Sequence, residues 1–123
     1  GSIKRSMIFD GRYLEENVEA TSEMGTFRGR GYMAYDNVDG QYEMVWLDNM
    51  STGLYFESGT YDAETMQFTM YGEQRDPATG HIVRSYGTLD VSNPDRHQYV
   101  GYSVNPDGKR FKSFTATMER IGN

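Results

Sequence analysis

Cysteine is absent from the 123 residues, which excludes disulfides, thiolate nucleophiles and thiolate metal ligands. Histidine is almost as scarce: His81 and His97 are the only two, too few for a His-rich metal centre. Basic residues run short as well, with 12 Lys and Arg against 18 Asp and Glu and a formal net charge of -6. That balance opposes nucleic acid and anionic membranes as partners. The densest basic stretch, Lys109-Arg110 with Lys112, reads as the solvated face of a last strand. No apolar run approaches the roughly 20 residues that a bilayer-spanning helix needs. Helical patterning is lacking too. The best stretch, 13–20, sets Leu14 and Val18 four apart, but Tyr13 and Asn17 break the stripe.

What the chain has instead is a regular beat of turn clusters. Asp10-Gly11, Asp36-Asn37-Val38-Asp39-Gly40, Ser51-Thr52-Gly53, Asp62-Ala63-Glu64, Asp76-Pro77-Ala78-Thr79-Gly80, Ser92-Asn93-Pro94-Asp95 and Asn105-Pro106-Asp107-Gly108 follow one another at short intervals. Between them lie runs rich in Tyr, Phe, Val, Thr and Met, each of strand length. Nine strands are predicted, over 3–9, 12–21, 26–35, 41–48, 54–61, 66–73, 81–91, 97–104 and 110–121. Asp10-Gly11 reads as a two-residue hairpin turn. The fold class is all-β: an antiparallel up-and-down meander, which hides its edges best by closing into a barrel. Gly1-Ser2 has the look of a tag remnant, leaving 3–123 as a single domain.

Side chains alternate faces along a strand. In the fourth predicted strand Tyr42, Met44 and Trp46 share one face, and Glu43, Val45 and Leu47 the other. Phe68 and Met70 share a face in the sixth, Arg84 and Tyr86 in the seventh. Several strands are therefore apolar or aromatic on both sides, where a meander with one wet face would alternate more cleanly. A lined cavity or a partner surface would account for it. Gly29, Gly31, Gly59, Gly87 and Gly101 all fall inside strands, and together they favour bends or close backbone approaches.

Three motif look-alikes lose their meaning in this context. Gly29-Arg30-Gly31-Tyr32-Met33-Ala34 fits G-x-G-x-x-G/A, but no helix follows to receive a phosphate, so no nucleotide cofactor is expected. Asp36-Asn37-Val38-Asp39-Gly40 lacks the ligand spacing and closing Glu of a calcium loop, so no metal is expected and a hairpin turn explains it better. Asn49-Met50-Ser51 is formally a glycosylation sequon without a secretory context. For hydrolysis, no G-x-S-x-G elbow occurs, neither His stands beside a nucleophile, and Glu15 and Glu16 point to opposite faces.

The remaining candidates form an aromatic lining with a polar anchor, as a pocket for a small hydrophobic or amphipathic molecule requires. Met44, Trp46, Phe56, Phe68, Met70 and Tyr86 would line it, with Asp48 or Arg84 as the anchor. If Arg84 points inward, it should meet Asp48, Glu57 or an anionic ligand head.

Gly31-Tyr32-Met33-Ala34-Tyr35-Asp36-Asn37 and Trp46-Leu47-Asp48-Asn49-Met50-Ser51-Thr52-Gly53 resemble a bacterial family, as do the later landmarks Gly59-Thr60-Tyr61-Asp62, Asp76-Pro77-Ala78-Thr79-Gly80 and Pro106-Asp107-Gly108-Lys109. The family is that of domain of unknown function 1579. The resemblance implies a lipocalin-like (calycin) barrel and a bacterial origin, with no established activity to carry over; the choice between cytoplasm and periplasm stays open. Members usually begin with a further segment bearing a Gly-x-Trp strand, and its absence here implies a barrel that is incomplete or completed by a partner chain. The leading expectation is thus a barrel that binds a small ligand. One alternative is a homo-oligomeric module with a filled core, dimerising through the edge strand between Ile3 and Phe9. Another is an isomerase- or lyase-type enzyme at the barrel mouth, for which Asp48 and Glu57 are the carboxylate candidates; nothing local supports a catalytic residue.

Overall fold

The computed structural model describes residues 1–76, 78–105 and 107–121. Nine strands follow one another: β1 (Ser2–Ile8), β2 (Tyr13–Ser22), β3 (Gly25–Asp36), β4 (Gln41–Asp48), β5 (Tyr55–Asp62), β6 (Gln67–Arg75), β7 (Ile82–Asn93), β8 (Arg96–Val104) and β9 (Arg110–Glu119). No helix occurs among the described residues. Strand order in the sheet is chain order, with β1 and β9 at its two ends, and the described pairings are antiparallel. This is the predicted all-β antiparallel meander of nine strands. Predicted strand ends fall within two residues of the observed ones. The chain divides into two compact units, Gly1–Glu57 and Ser58–Asn123.

In the first unit, the pairs Arg5↔Glu16, Glu16↔Gly31 and Gly31↔Trp46 run as one row across β1 to β4. Alternation then places Ile3 and Met7, Leu14 and Val18, Phe27 and Met33, and Met44 and Trp46 on that same face. The opposite face carries Lys4, Asn17, Arg30 and Leu47 as its own row. In the second unit, Phe68↔Leu89 and Met70↔Gly87 define an apolar face that continues through Tyr99 and Phe114. A bulge in β9 pairs Lys112 with Tyr102 and Phe114 with Gly101, leaving Ser113 over, so Phe111 and Phe114 share a face despite their odd separation. The other face holds a ladder of direct partners, Tyr71, Tyr86 and Tyr102. The last two rings are nearly parallel with centroids 4.6 Å apart, and the Arg110 guanidinium lies 5.4 Å from the Tyr86 centroid.

The strand glycines explain how these strands find a core. A Cβ at Gly29 would strike the Trp46 ring, one at Gly87 the Tyr99 ring, and one at Gly101 would come within 2.8 Å of Phe114. Each glycine is thus the floor on which an aromatic from a neighbouring strand lies, the cross-strand cover known to restore packing at strand glycines. Gly59 differs, because its neighbour is backbone: a Cβ there would overlap the Thr69 carbonyl oxygen. Burial follows these contacts. Gly31, Gly59, Gly87 and Gly101 are buried, as are Met70 and Glu57, and Met70 is the one buried hydrophobic side chain among the described residues.

The turns are held by local acceptors, mostly Asp. Asp36, Asp62 and Asp90 each accept a backbone N–H two residues on, and Asp36 accepts a second from Asp39. Asp10-Gly11 is not the two-residue turn its sequence suggests. Ile8 pairs with Tyr13, so four residues form the loop, and Phe9, Asp10 and Gly11 all adopt positive φ. The Phe9 and Tyr13 rings, edge to face with centroids 5.9 Å apart, hold Phe9 in a conformation that costs a non-glycine residue roughly 1–2 kcal/mol. The expected turns at 76–80 and 105–108 include Pro77 and Pro106, which lie outside the described residues.

Candidate functional site

Trp46 on β4 organises the apolar face of the first unit. Its indole lies along β3, with the six-membered ring passing from Gly31, whose Cβ would stand 3.0 Å away, to Gly29. Phe27 extends this surface, its ring tilted only 18° from the indole with centroids 6.4 Å apart. Indole Nε1 donates to Asp48 Oδ2 at 2.8 Å, and Asp48 Oδ1 accepts the Met50 N–H at 2.9 Å. Both oxygens of Asp48 are thereby engaged, which fixes the carboxylate at the end of the aromatic surface. Trp46 and Asp48 are half-buried, so the assembly is held from beneath and partly open above.

A second polar feature sits in the same cross-strand row. Arg5 Nε donates to Glu16 Oε2 at 2.6 Å, with side chains 26% and 27% exposed. Charges placed on an otherwise apolar face need each other, since an unpaired one there would be costly to desolvate. The sequence offers a signal for this pair. Ile3, Arg5 and Met7 form one stripe of β1, and Leu14, Glu16 and Val18 one stripe of β2, each apolar but for its central charge. What the sequence does not supply is the register that sets Arg5 opposite Glu16.

Of the expected lining residues, Met44, Trp46 and Asp48 share this face. Phe56 is 63% exposed and lies on the side of β5 away from Glu57. Phe68 and Met70 share the apolar face of the second unit. Arg84 and Tyr86 lie on the other face of that unit, the face of Tyr71 and Tyr102. Arg84 is exposed there, its Nε donating to Glu73 Oε1 at 3.1 Å, so its partner is a β6 carboxylate across the strand pair. The structure thus gathers three of the eight residues in the first unit and separates the four of the second between two faces.

Glu57 is 7% exposed and accepts a hydrogen bond from the Tyr55 hydroxyl at 3.4 Å. Burial pushes its carboxyl above the usual range, and the Tyr55 bond opposes this only in part. A raised carboxyl pKa means that the native state keeps a proton the unfolded chain releases. Its contribution to stability is full below the unfolded value and is lost as pH rises through the native one. Glu57→Gln removes that dependence. The melting temperature of the variant should therefore gain on the parent as pH rises above the ordinary glutamate range, measured by circular dichroism. Parallel curves for the two proteins would contradict it.

The hairpin between β3 and β4 brings carboxylate oxygens of Asp36, Asp39 and Glu43 within 4.8 Å of one another. A hydrogen bond between Glu43 and Asp36 raises the Glu43 carboxyl and lowers that of Asp36, which the Val38 and Asp39 amides lower further. Of the two carboxyls, Glu43 is therefore the first to take up a proton as pH falls. The backbone geometry is that of a turn, with Gly40 N donating to Asp36 O at 2.8 Å, in keeping with the hairpin reading.

No curated protein and no solved structure matches this chain. One family model does, and it spans nearly all of the sequence on which the Trp46 face, the buried Glu57 and the tyrosine ladder are built. Through that match over residues 1–120, the chain belongs to the family described as protein of unknown function (DUF1579).

Proposed function

We propose that the protein binds a small hydrophobic or amphipathic molecule against the Trp46 face of the first unit. The observation that supports this reading is an apolar face left half-exposed by its own chain: Leu14, Val18, Phe27, Met33, Met44 and Trp46 all keep partial contact with solvent. Covering such a surface stabilises a complex by about 25 cal/mol per Å² of apolar area removed from water. Asp48 and the Arg5–Glu16 pair supply the few fixed polar groups that orient a ligand on a greasy surface.

Trp46 is the sole tryptophan and therefore reports on its own face. The neutral probe N-phenyl-1-naphthylamine should bind saturably and accept excitation energy from Trp46. Met44→Gln should weaken it about tenfold, equivalent to roughly 1.4 kcal/mol. A probe that fails to bind, or that binds parent and variant alike, overturns the reading. Native mass spectrometry of protein purified from cells should also show a retained small molecule.

A second reading has β1 as a dimerisation edge. It rests on the position of β1 at the end of the strand order and on the exposure of nearly all its residues. Sedimentation that reports a monomer at high micromolar concentration would remove it.

A further inference from the structure

The polar face of the same four strands holds a concave site of about 580 Å³, set among Ser2 and Lys4 of β1 and residues 17–19, 28–30 and 47–49. This volume lies within the range of small-ligand sites. Two adjacent rows build it. One runs Lys4, Asn17, Arg30 and Leu47; the other includes Ser2, Glu19 and Arg28 and ends at Asn49. Its lining sets three cations, Lys4, Arg28 and Arg30, against two carboxylates, Glu19 and Asp48, the latter already engaged by the Trp46 indole and the Met50 amide, on a protein whose net charge is -6.

The charges are not all neutralised. Arg28 Nε lies 3.5 Å from Glu19 Oε2 and is balanced by it. Arg30 Nε instead donates to the neutral Asn17 Oδ1 at 2.8 Å, and Asn17 Nδ2 donates onward to Glu15 Oε1 at 3.2 Å. Neither Arg30 nor Lys4 forms an ion pair among the described residues. The Asn17 amide thus fixes the Arg30 guanidinium by one edge and leaves its terminal nitrogens available, a pre-organised fork of the kind that suits an oxyanion. Lys4 and Arg30 each pair with Asn17, so two strand spacings, about 10 Å, separate their backbones. Both side chains are long enough to converge above Asn17.

Leu47, 39% exposed, ends the Lys4 row and offers an apolar patch beside the cations. Asn49 is occupied with structure: its Oδ1 accepts the Arg28 N–H at 3.0 Å and its Nδ2 donates to Thr26 O at 2.9 Å. It ties the end of β4 to β3 and so fixes the wall of the site. We infer that this concavity binds a small organic anion, its carboxylate or phosphate between Lys4 and Arg30 and its apolar part against Leu47.

The inference concerns the face opposite Trp46 and is tested separately from the reading above. ¹⁵N-labelled protein would be titrated with inorganic phosphate and, in a second arm, with octanoate. At least one probe should shift the amides of 17–19 and 28–30 saturably, with an affinity that falls as salt is added. The double variant Lys4→Gln/Arg30→Gln should lose at least tenfold in affinity while retaining the parent circular dichroism spectrum and N-phenyl-1-naphthylamine binding. Response to phosphate alone identifies a phosphate-bearing ligand; response to octanoate alone identifies a carboxylate with an apolar tail. Absence of any response at these amides, or equal affinity in the double variant, overturns the inference. If that variant does not fold, Arg30→Lys serves instead. Loss of the planar fork should weaken binding, and an unchanged affinity overturns the inference equally.

Discussion

Gly59→Ala should be the most destabilising of the glycine substitutions. A methyl group on Gly59 would overlap the Thr69 carbonyl oxygen and stand 2.8 Å from Met70 Cα, so it meets backbone on β6 that no rotamer change can move. Relief requires the β5 and β6 backbones to part beside Met70, the one buried hydrophobic side chain among the described residues. Overpacking of a well-filled core costs about 1–3 kcal/mol when side chains can yield, and more when backbone must. We expect a loss of about 3 kcal/mol or more, a large part of the 5–15 kcal/mol typical of a whole domain. Urea denaturation followed by circular dichroism measures it. Gly53→Ala is the control: nothing lies within 4 Å of a Cβ there, and the change should fall within about 0.5 kcal/mol of the parent. Equal stability of the two variants would mean that β5 and β6 do not approach as closely as described.

The second large effect is a coupling. Trp46→Ala strips the cover from Gly29 and Gly31 and leaves Asp48 without its indole donor, for an expected loss of about 2–3 kcal/mol; the ring is half-buried, so the cost is below that of a fully enclosed Trp. Gly29→Ala drives a methyl group into the ring and should cost about 1–3 kcal/mol. Trp46 supplies the three atoms nearest that methyl group, so without the ring the clash is removed; alanine is also the better strand residue, and Gly29→Ala should become neutral or stabilising. The double variant should accordingly be more stable than the sum of the single losses predicts, by about 1–3 kcal/mol. Additive losses would show that the indole does not rest on Gly29. The same variants, titrated with N-phenyl-1-naphthylamine, separate packing from binding: Gly29→Ala lifts the ring and Trp46→Ala deletes it, and both should weaken the probe.

Strand number and order were legible because the signals that set them are local. A turn cluster such as Asp36 to Gly40 satisfies its own backbone through the Asp36 carboxylate and closes its own hairpin, whatever lies elsewhere. Where local chemistry was ambiguous the reading slipped, as at Asp10-Gly11, where the Phe9–Tyr13 ring contact accompanies a four-residue loop. The strand glycines were visible in the sequence as points of close approach. That four of them lie beneath an aromatic of the next strand, and Gly59 beneath a carbonyl, depends on which residues stand opposite, and no local pattern carries that.

The candidate site was half legible for the same reason. Met44, Trp46 and Asp48 share a face through alternation within one strand, a property of the chain alone. Arg5–Glu16 on one side of the sheet, and Lys4–Asn17–Arg30 on the other, exist only because the register aligns residues up to 26 positions apart in the chain. Likewise the β9 bulge brings Phe111 and Phe114 to one face against the period-two rule. By itself, then, the sequence determined an all-β meander of nine strands and the stripe that each strand presents, since turns and alternation are short-range. The tertiary structure decided which stripes meet, which glycines floor which rings and where charges pair or stand free, because strand register couples distant residues through packing and hydrogen bonds that the linear order does not contain.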